Sequence, residues 1–209
     1  MSIIPVLLCI TVHELAHGYT AYRIGDTTAK DMGRLTLNPI KHIDVIGLFA
    51  MAVFGFGWAK PVPVNMMNFK RPKRDMAITA LAGPVSNIIM AVAVFFILGL
   101  LFIPLGGFEP NQSALQKTML DMIYRTAYLS VALAVFNMIP IPPLDGSKVL
   151  FSLISDKAYF TLMRYERYGM ILLLVFMTTG LFRSTVGTLV SAMAEKLFGI
   201  VYFVIGLVS

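Results

Sequence analysis

The sequence predicts a mainly α fold, a polytopic membrane bundle of about four to six helical spans with a small membrane-associated β-sheet near the cytoplasmic side. Three observations carry that prediction. Of 209 residues, 57% are hydrophobic and only 13% charged, where a soluble domain carries roughly 25% charged residues, and mean hydropathy is +0.78. Several apolar stretches are long enough to cross a bilayer. Lysine and arginine alternate from loop to loop as the positive-inside rule requires. A chain this apolar is better dissolved by lipid than by water.

The segments follow in order. The first span runs from about Ser2 to Arg23, apolar from Ile3 to Val12 and polar after it; its polar end argues against a signal peptide. The second covers about Met76 to Ile103. The third, Met122 to Ile139, stops at Pro140, Pro142 and Pro143, because proline lacks a donor and disfavours helix in the residue before it. A fourth spans about Tyr168 to Phe182. The last, Thr188 to Val208, contains Glu195 and Lys196 and is expected to start at the interface.

The connection between the first two spans holds Lys30, Arg34, Lys41, Lys60, Lys70, Arg71, Lys73 and Arg74, whereas the next holds only Lys117. The third is basic again, with Lys148, Lys157, Arg164 and Arg167. The first and third connections are therefore expected in the cytoplasm and the N-terminus outside. The net charge of +6 belongs to these loops, and no nucleic-acid partner is expected. The lipid bilayer is. Residues 1–209 read as a single transmembrane domain with no appended soluble domain, and Cys9 alone makes neither a disulfide nor a cysteine metal cluster.

The long first connection carries the expected sheet. Gly33 to Leu37, before Asn38-Pro39, reads as a short strand and turn. Gly55-Phe56-Gly57 leads into Trp58 to Asn65, where Pro61 and Pro63 confine the chain to an extended sheet edge.

The chemistry sits on the first span, in His13-Glu14-Leu15-Ala16-His17. Residues four apart project from one helical face, so both imidazoles can reach one ion, and the adjacent Glu14 can hold a water on that ion. Two histidines and a glutamate inside a membrane segment are expensive to bury and mark a functional site, although polar groups can also simply join helices. Ten residues separate His13 from Arg23, which puts the site about 15 Å from the cytoplasmic end of the helix. Catalytic zinc takes three protein ligands and leaves one open position. Asp145, after the proline break, is a candidate third ligand; equally it could cap a helix beginning near Gly146. Glu166 is a rival donor. A membrane metal transporter using the same histidines and aspartate is the alternative reading, and it would not depend on Glu14.

Four pieces in order resemble the site-2 protease family of intramembrane zinc metalloproteases: His13 to His17, Gly33 to Pro39, Ala82-Gly83-Pro84-Val85-Ser86-Asn87, and Asn137 through Gly146 with its Pro-Pro-Leu-Asp-Gly. They cover about residues 5 to 150, and the chain lacks the PDZ or CBS modules of some relatives. The resemblance implies that His13, His17 and Asp145 hold one zinc ion, that Glu14 is the catalytic acid/base, and that Asn137 sits near the scissile carbonyl. It also implies a partner, a membrane-protein substrate with a transmembrane helix, and leaves a homo-oligomer open. Beyond the motifs, His42 reads as a loop residue, Trp58 as an interfacial anchor, Lys70 to Arg74 as a topology and anionic-lipid determinant, and Asn87 as support for backbone freed by Pro84.

Overall fold

The computed structural model describes residues 3–54 and 57–208. Its helices in chain order are α1 (Ile3–Arg23), α2 (Thr28–Asp31), α3 (Val45–Phe54), α4 (Pro72–Phe102), α5 (Ala114–Asn137), α6 (Asp145–Phe151), α7 (Asp156–Arg164), α8 (Glu166–Thr178) and α9 (Gly180–Val208). Two short 3-10 turns, Pro39–His42 and Met66–Asn68, lie between them. Among the described residues four helices are long and apolar enough to cross a membrane: α1, α4, α5 and the Ser184–Leu207 part of α9. The second span therefore begins at Pro72 rather than Met76, because proline at the first helical position costs no hydrogen bond, and the third begins at Ala114 and ends at Asn137.

The fourth expected span is shorter than anticipated. α8 has 13 residues, about 20 Å of helix against roughly 30 Å of hydrocarbon. Thr179 ends it: its hydroxyl donates to Phe176 O at 2.6 Å and accepts from Phe182 N at 3.3 Å, so Phe182 belongs to α9.

The expected β-sheet does not form. Among the described residues there is no strand, only an isolated antiparallel bridge between Ile43 and Ala59. The residues from Gly33 to Leu37 are a turn: Gly33 takes φ of 63°, and Gly33 N and Arg34 N close back on Lys30 O and Ala29 O. Trp58 to Val64 forms neither helix nor strand beyond the Ala59 bridge; Pro61 and Pro63 supply no donors, and the Val62 amide goes to a side chain instead. A ladder needs alternating donors, and from Pro61 to Pro63 none is free. Gly55 and Phe56, at its approach, lie outside the described residues.

The chain divides into two packing units. One comprises the N-terminal stretch through Cys9, Asn87–Phe136 and the stretch from Phe176 onward. Its core is Ala91, Phe95 and Leu98 of α4, Ala127 and Val131 of α5, and Val190, Ala194 and Val201 of α9. Small residues let the backbones approach. At Gly99 an added Cβ would stand 2.7 Å from Val204 Cβ. Phe95 meets Phe198 edge-on at 5.8 Å. Buried Asn87 is held here too, its carbonyl receiving the Ser130 hydroxyl at 2.8 Å.

The other unit, Ile10–Ser86 with Asn137–Val175, contains His13, Glu14, His17, Asn137 and Asp145. Asp26, fully buried, ties its loops: the carboxylate accepts from the Thr28 amide and hydroxyl, the Asn65 amide and the Asn68 side chain at 2.5–3.1 Å. Burial pushes its carboxyl up, but these hydrogen bonds outweigh burial and hold it below the usual carboxylate range. Tyr159 of α7 is fully buried with its hydroxyl 3.8 Å from Met66 Sδ. Burial and the Glu166 charge push that hydroxyl up to about 12.

Candidate metal centre

α1 has an apolar start and a polar centre, and one i, i+4 pair on it carries both imidazoles to the same place. His13 and His17 are 6% and 9% exposed, and their rings meet edge-on at 4.6 Å. Their Nε2 atoms are 3.0 Å apart, and each is 3.1 Å from Oδ2 of Asp145. Asp145, 8% exposed, is the first residue of α6, whose N-cap is Leu144. It does not cap the helix by side chain. Among the described residues these are the three that a single ion could reach together. Glu166 is elsewhere engaged, 3.6 Å from Lys148 Nζ.

The donor set fits a zinc ion. Tetrahedral zinc at about 2.0–2.1 Å from its ligands would separate them by about 3.3 Å, and the donor triangle measures 3.0–3.1 Å on each side. The protonation pattern points the same way. His17 Nδ1 lies 2.8 Å from Thr79 O; a carbonyl can only accept, so Nδ1 carries a proton, and when the ring is neutral Nε2 keeps a lone pair for an ion. That lone pair faces a carboxylate oxygen, which is buried without a hydrogen-bond donor of good geometry. Two acceptors at contact distance repel unless a proton or a metal cation lies between them. A carbonyl behind a ligating imidazole is the usual means of fixing its orientation.

Two glycines make the room. A Cβ at Gly83 of α4 would lie 2.5 Å from ring atoms of both His13 and His17, and one at Gly146 would lie 2.2 Å from Met138 O. Gly83 is thus the flat wall against which the imidazoles stand, and Gly146 lets α6 start tight against the loop that presents Asp145. That loop contains the cis Pro142–Pro143 bond. Neither glycine was singled out by sequence, although each sits inside a motif piece quoted above; nor was the Thr79 carbonyl, which no side-chain pattern reveals.

Glu14, partly buried one residue from His13, accepts the Val62 amide on Oε2 at 2.7 Å. Asn137 ends α5 at the head of the loop that leads to Asp145, partly buried. His42 is buried with Nε2 2.9 Å from Thr36 O, a loop contact rather than a metal ligand. Trp58 is 40% exposed.

Comparison with known proteins matches this architecture to one family. The model of peptidase family M50 matches residues 1–181. Three similar proteins share the printed name "Putative zinc metalloprotease". YwhC of Bacillus subtilis is 42% identical over 180 residues, 86% of this chain and 80% of its own. MJ0611 of Methanocaldococcus jannaschii is 35% identical over 72% of this chain and 69% of its own. Rip2 of Mycolicibacterium smegmatis is 28% identical over 83% of this chain and 64% of its own. No solved structure gives a significant match. A family match across most of the chain, joined to a buried histidine pair and aspartate at metal-binding distance, makes this chain a metalloprotease of peptidase family M50, the site-2 protease family.

Proposed function

We propose that the protein is an intramembrane zinc endopeptidase that hydrolyses peptide bonds in or beside transmembrane segments of membrane-protein substrates, as in regulated intramembrane proteolysis. The observation that supports this most is the place of the donor triangle. It is built on a helix apolar enough to cross a membrane, with two of its three corners in the middle of that helix.

In this reading His13, His17 and Asp145 hold one zinc ion. When bound, zinc supplies a Lewis acid that brings the pKa of a water toward neutrality and polarises the peptide carbonyl. Glu14 takes the proton of the attacking water and returns it to the departing amine. Its Oε2 is already occupied by the Val62 amide, which leaves Oε1 for the water. Asn137 donates to the oxygen on which charge develops. Thr79, through its carbonyl, keeps the His17 ring from turning.

A helical substrate hides its amides and must unwind before Glu14 and a water can reach one. The extended Val62-Pro63-Val64 segment is the edge along which such a peptide would lie. Pro61 and Pro63 have no N–H and the Val62 amide is taken, so pairing runs chiefly from substrate N–H groups to the carbonyls of the segment. Replacing this segment is expected to impair membrane substrates more than a short soluble peptide; equal loss on both would remove this role. The loop charges favour an outside N-terminus and a site that opens toward the cytoplasm, and protease accessibility of an N-terminal tag in oriented vesicles would check this.

Glu14→Gln tests the core of the proposal. The variant should keep its zinc, measured by elemental analysis of purified protein, and lose about 10²–10⁴-fold in peptide cleavage. Undiminished cleavage would overturn the assignment of the base, and metal transport into vesicles with no cleavage would favour a transporter.

A further inference from the structure

Beyond the Ile43–Ala59 bridge, the stretch from Lys60 to Asn65 has no secondary structure of its own, yet it is pinned along its length. Lys60 N donates to His42 O at 3.0 Å. Arg34 Nη2 donates to Lys60 O at 2.9 Å. At the far end Asn65 N donates to Asp26 Oδ2 at 2.7 Å. Arg34 and Asp26 are 6% and 0% exposed, so both clamps are buried. Between them Val62, 7% exposed, sends its amide to Glu14 Oε2 at 2.7 Å.

α1 is shaped for this approach. Gly18 lies one turn beyond Glu14 on the same face, and a Cβ there would stand 2.9 Å from Val62 Cγ1 and 2.7 Å from Leu35 Cδ2. The arm itself is stripped of competing donors: Pro61 and Pro63 flank Val62, so its amide is the one N–H between Lys60 and Val64. That single donor is spent on a carboxylate.

A glutamate side chain loses rotamer freedom when held in one geometry. A base that must meet a water in a fixed place gains from having that cost met before substrate arrives. We propose that the Val62 amide is the donor that orients the Glu14 carboxylate, and that Arg34 and Asp26 are positioning residues that hold the arm at the right height. This rests on the reading of Glu14 as general base given above. The arm acts on the chemical step through Glu14 and makes no demand on the metal.

The test uses the full zinc-loaded chain in detergent with a short soluble peptide as substrate. Val62→Ala and Val62→Pro both lose the side chain, and only the second loses the N–H. We expect kcat of Val62→Pro to fall about 10–100-fold below that of Val62→Ala, with KM alike within about threefold and the same zinc content. Arg34→Met should lower kcat in the same sense, and Arg34→Lys, which can still donate to Lys60 O, should recover part of the loss. Hydrogen exchange gives a readout independent of turnover: in Glu14→Ala, a peptide covering residues 60–65 should gain the exchange of one amide, that of Val62. Equal kcat for the two Val62 variants, a change confined to KM, or unchanged exchange in Glu14→Ala would overturn the proposal. Should Val62→Pro fail to fold, the Arg34 pair and the exchange experiment decide. Glu14→Gln run in parallel separates the two ideas: an active Glu14→Gln sinks the base itself, whereas an inactive one with indistinguishable Val62 variants sinks only the positioning.

Discussion

The two packing units bury different kinds of atoms. The unit formed around Asn87–Phe136 and the stretch from Phe176 has a core of alanine, valine, leucine and phenylalanine on three long helices. The other buries His13, His17, Asp26, Arg34, Asp75 and Asp145, mostly on short helices and loops or at helix ends. In the first, contact comes from close backbone approach and dispersion, which need no particular partner and tolerate exchange of similar shapes. In the second, each buried polar group needs a named partner, because an unpaired one costs the whole of its desolvation. Among the described residues the buried carboxylates, histidines and arginine therefore belong to one unit, whereas the other buries the neutral Asn87, Thr126 and Ser130, and a substitution should announce by its effect which unit it fell in.

The largest contrast is expected at the donor triangle. Asp145→Ala removes one of three donors and leaves two imidazole lone pairs facing each other; bound zinc and peptide cleavage should both disappear, with a loss at least as large as in Glu14→Gln. Retention of a full equivalent of zinc would break the assignment of Asp145 as a ligand. Gly83→Ala comes next. A methyl group 2.5 Å from both imidazoles cannot be accommodated without turning them, and zinc affinity measured by competition with a chelator should weaken about 10–100-fold. An unaltered affinity would mean that α4 yields more readily than the polar unit is supposed to.

Asp26→Asn is a stability test without metal. It places an NH₂ among four donors, and thermal unfolding in detergent should show a loss of about 1–3 kcal/mol at neutral pH. Because the folded carboxyl titrates below its unfolded value, its contribution is complete above the unfolded pKa of about 3.9. It is lost as pH falls through the lower, folded value. Wild type should therefore approach Asp26→Asn in stability at strongly acidic pH, and a gap that stays constant down to that range would contradict the hydrogen-bond account. The smallest effect on the site belongs to the apolar unit. Gly99→Ala sets a methyl 2.7 Å from Val204 Cβ, and should cost about 1–3 kcal/mol of stability by overpacking with zinc affinity untouched. Loss of zinc in that variant would show that the two units are not independent in the way their cores suggest.

Much of this was legible in the sequence, for identifiable reasons. Hydropathy located α1, α4, α5 and α9, because a bilayer rewards length and apolarity, which are properties of a linear stretch. The i, i+4 spacing of His13 and His17 placed two donors on one face, because helix geometry is local. The fourth expected span proved shorter than its apolar run, which continues through the Thr179 break into α9. The sheet was misread: alternating prolines signal extended chain, but whether such a chain pairs depends on where its amides point.

What the sequence determined by itself, then, was the solvent, the helices that answer to it, and the residue types able to hold a metal. What only the tertiary structure decided was which acid joins the histidines and what stands behind them. Asp145 rather than Glu166 completes the triangle, Gly83 gives the rings their wall, the Thr79 carbonyl fixes a tautomer, and the Val62 amide finds Glu14. Each of these is a meeting of atoms far apart in the chain, and three of the four involve a backbone group or a missing side chain, which carries no letter of its own to read.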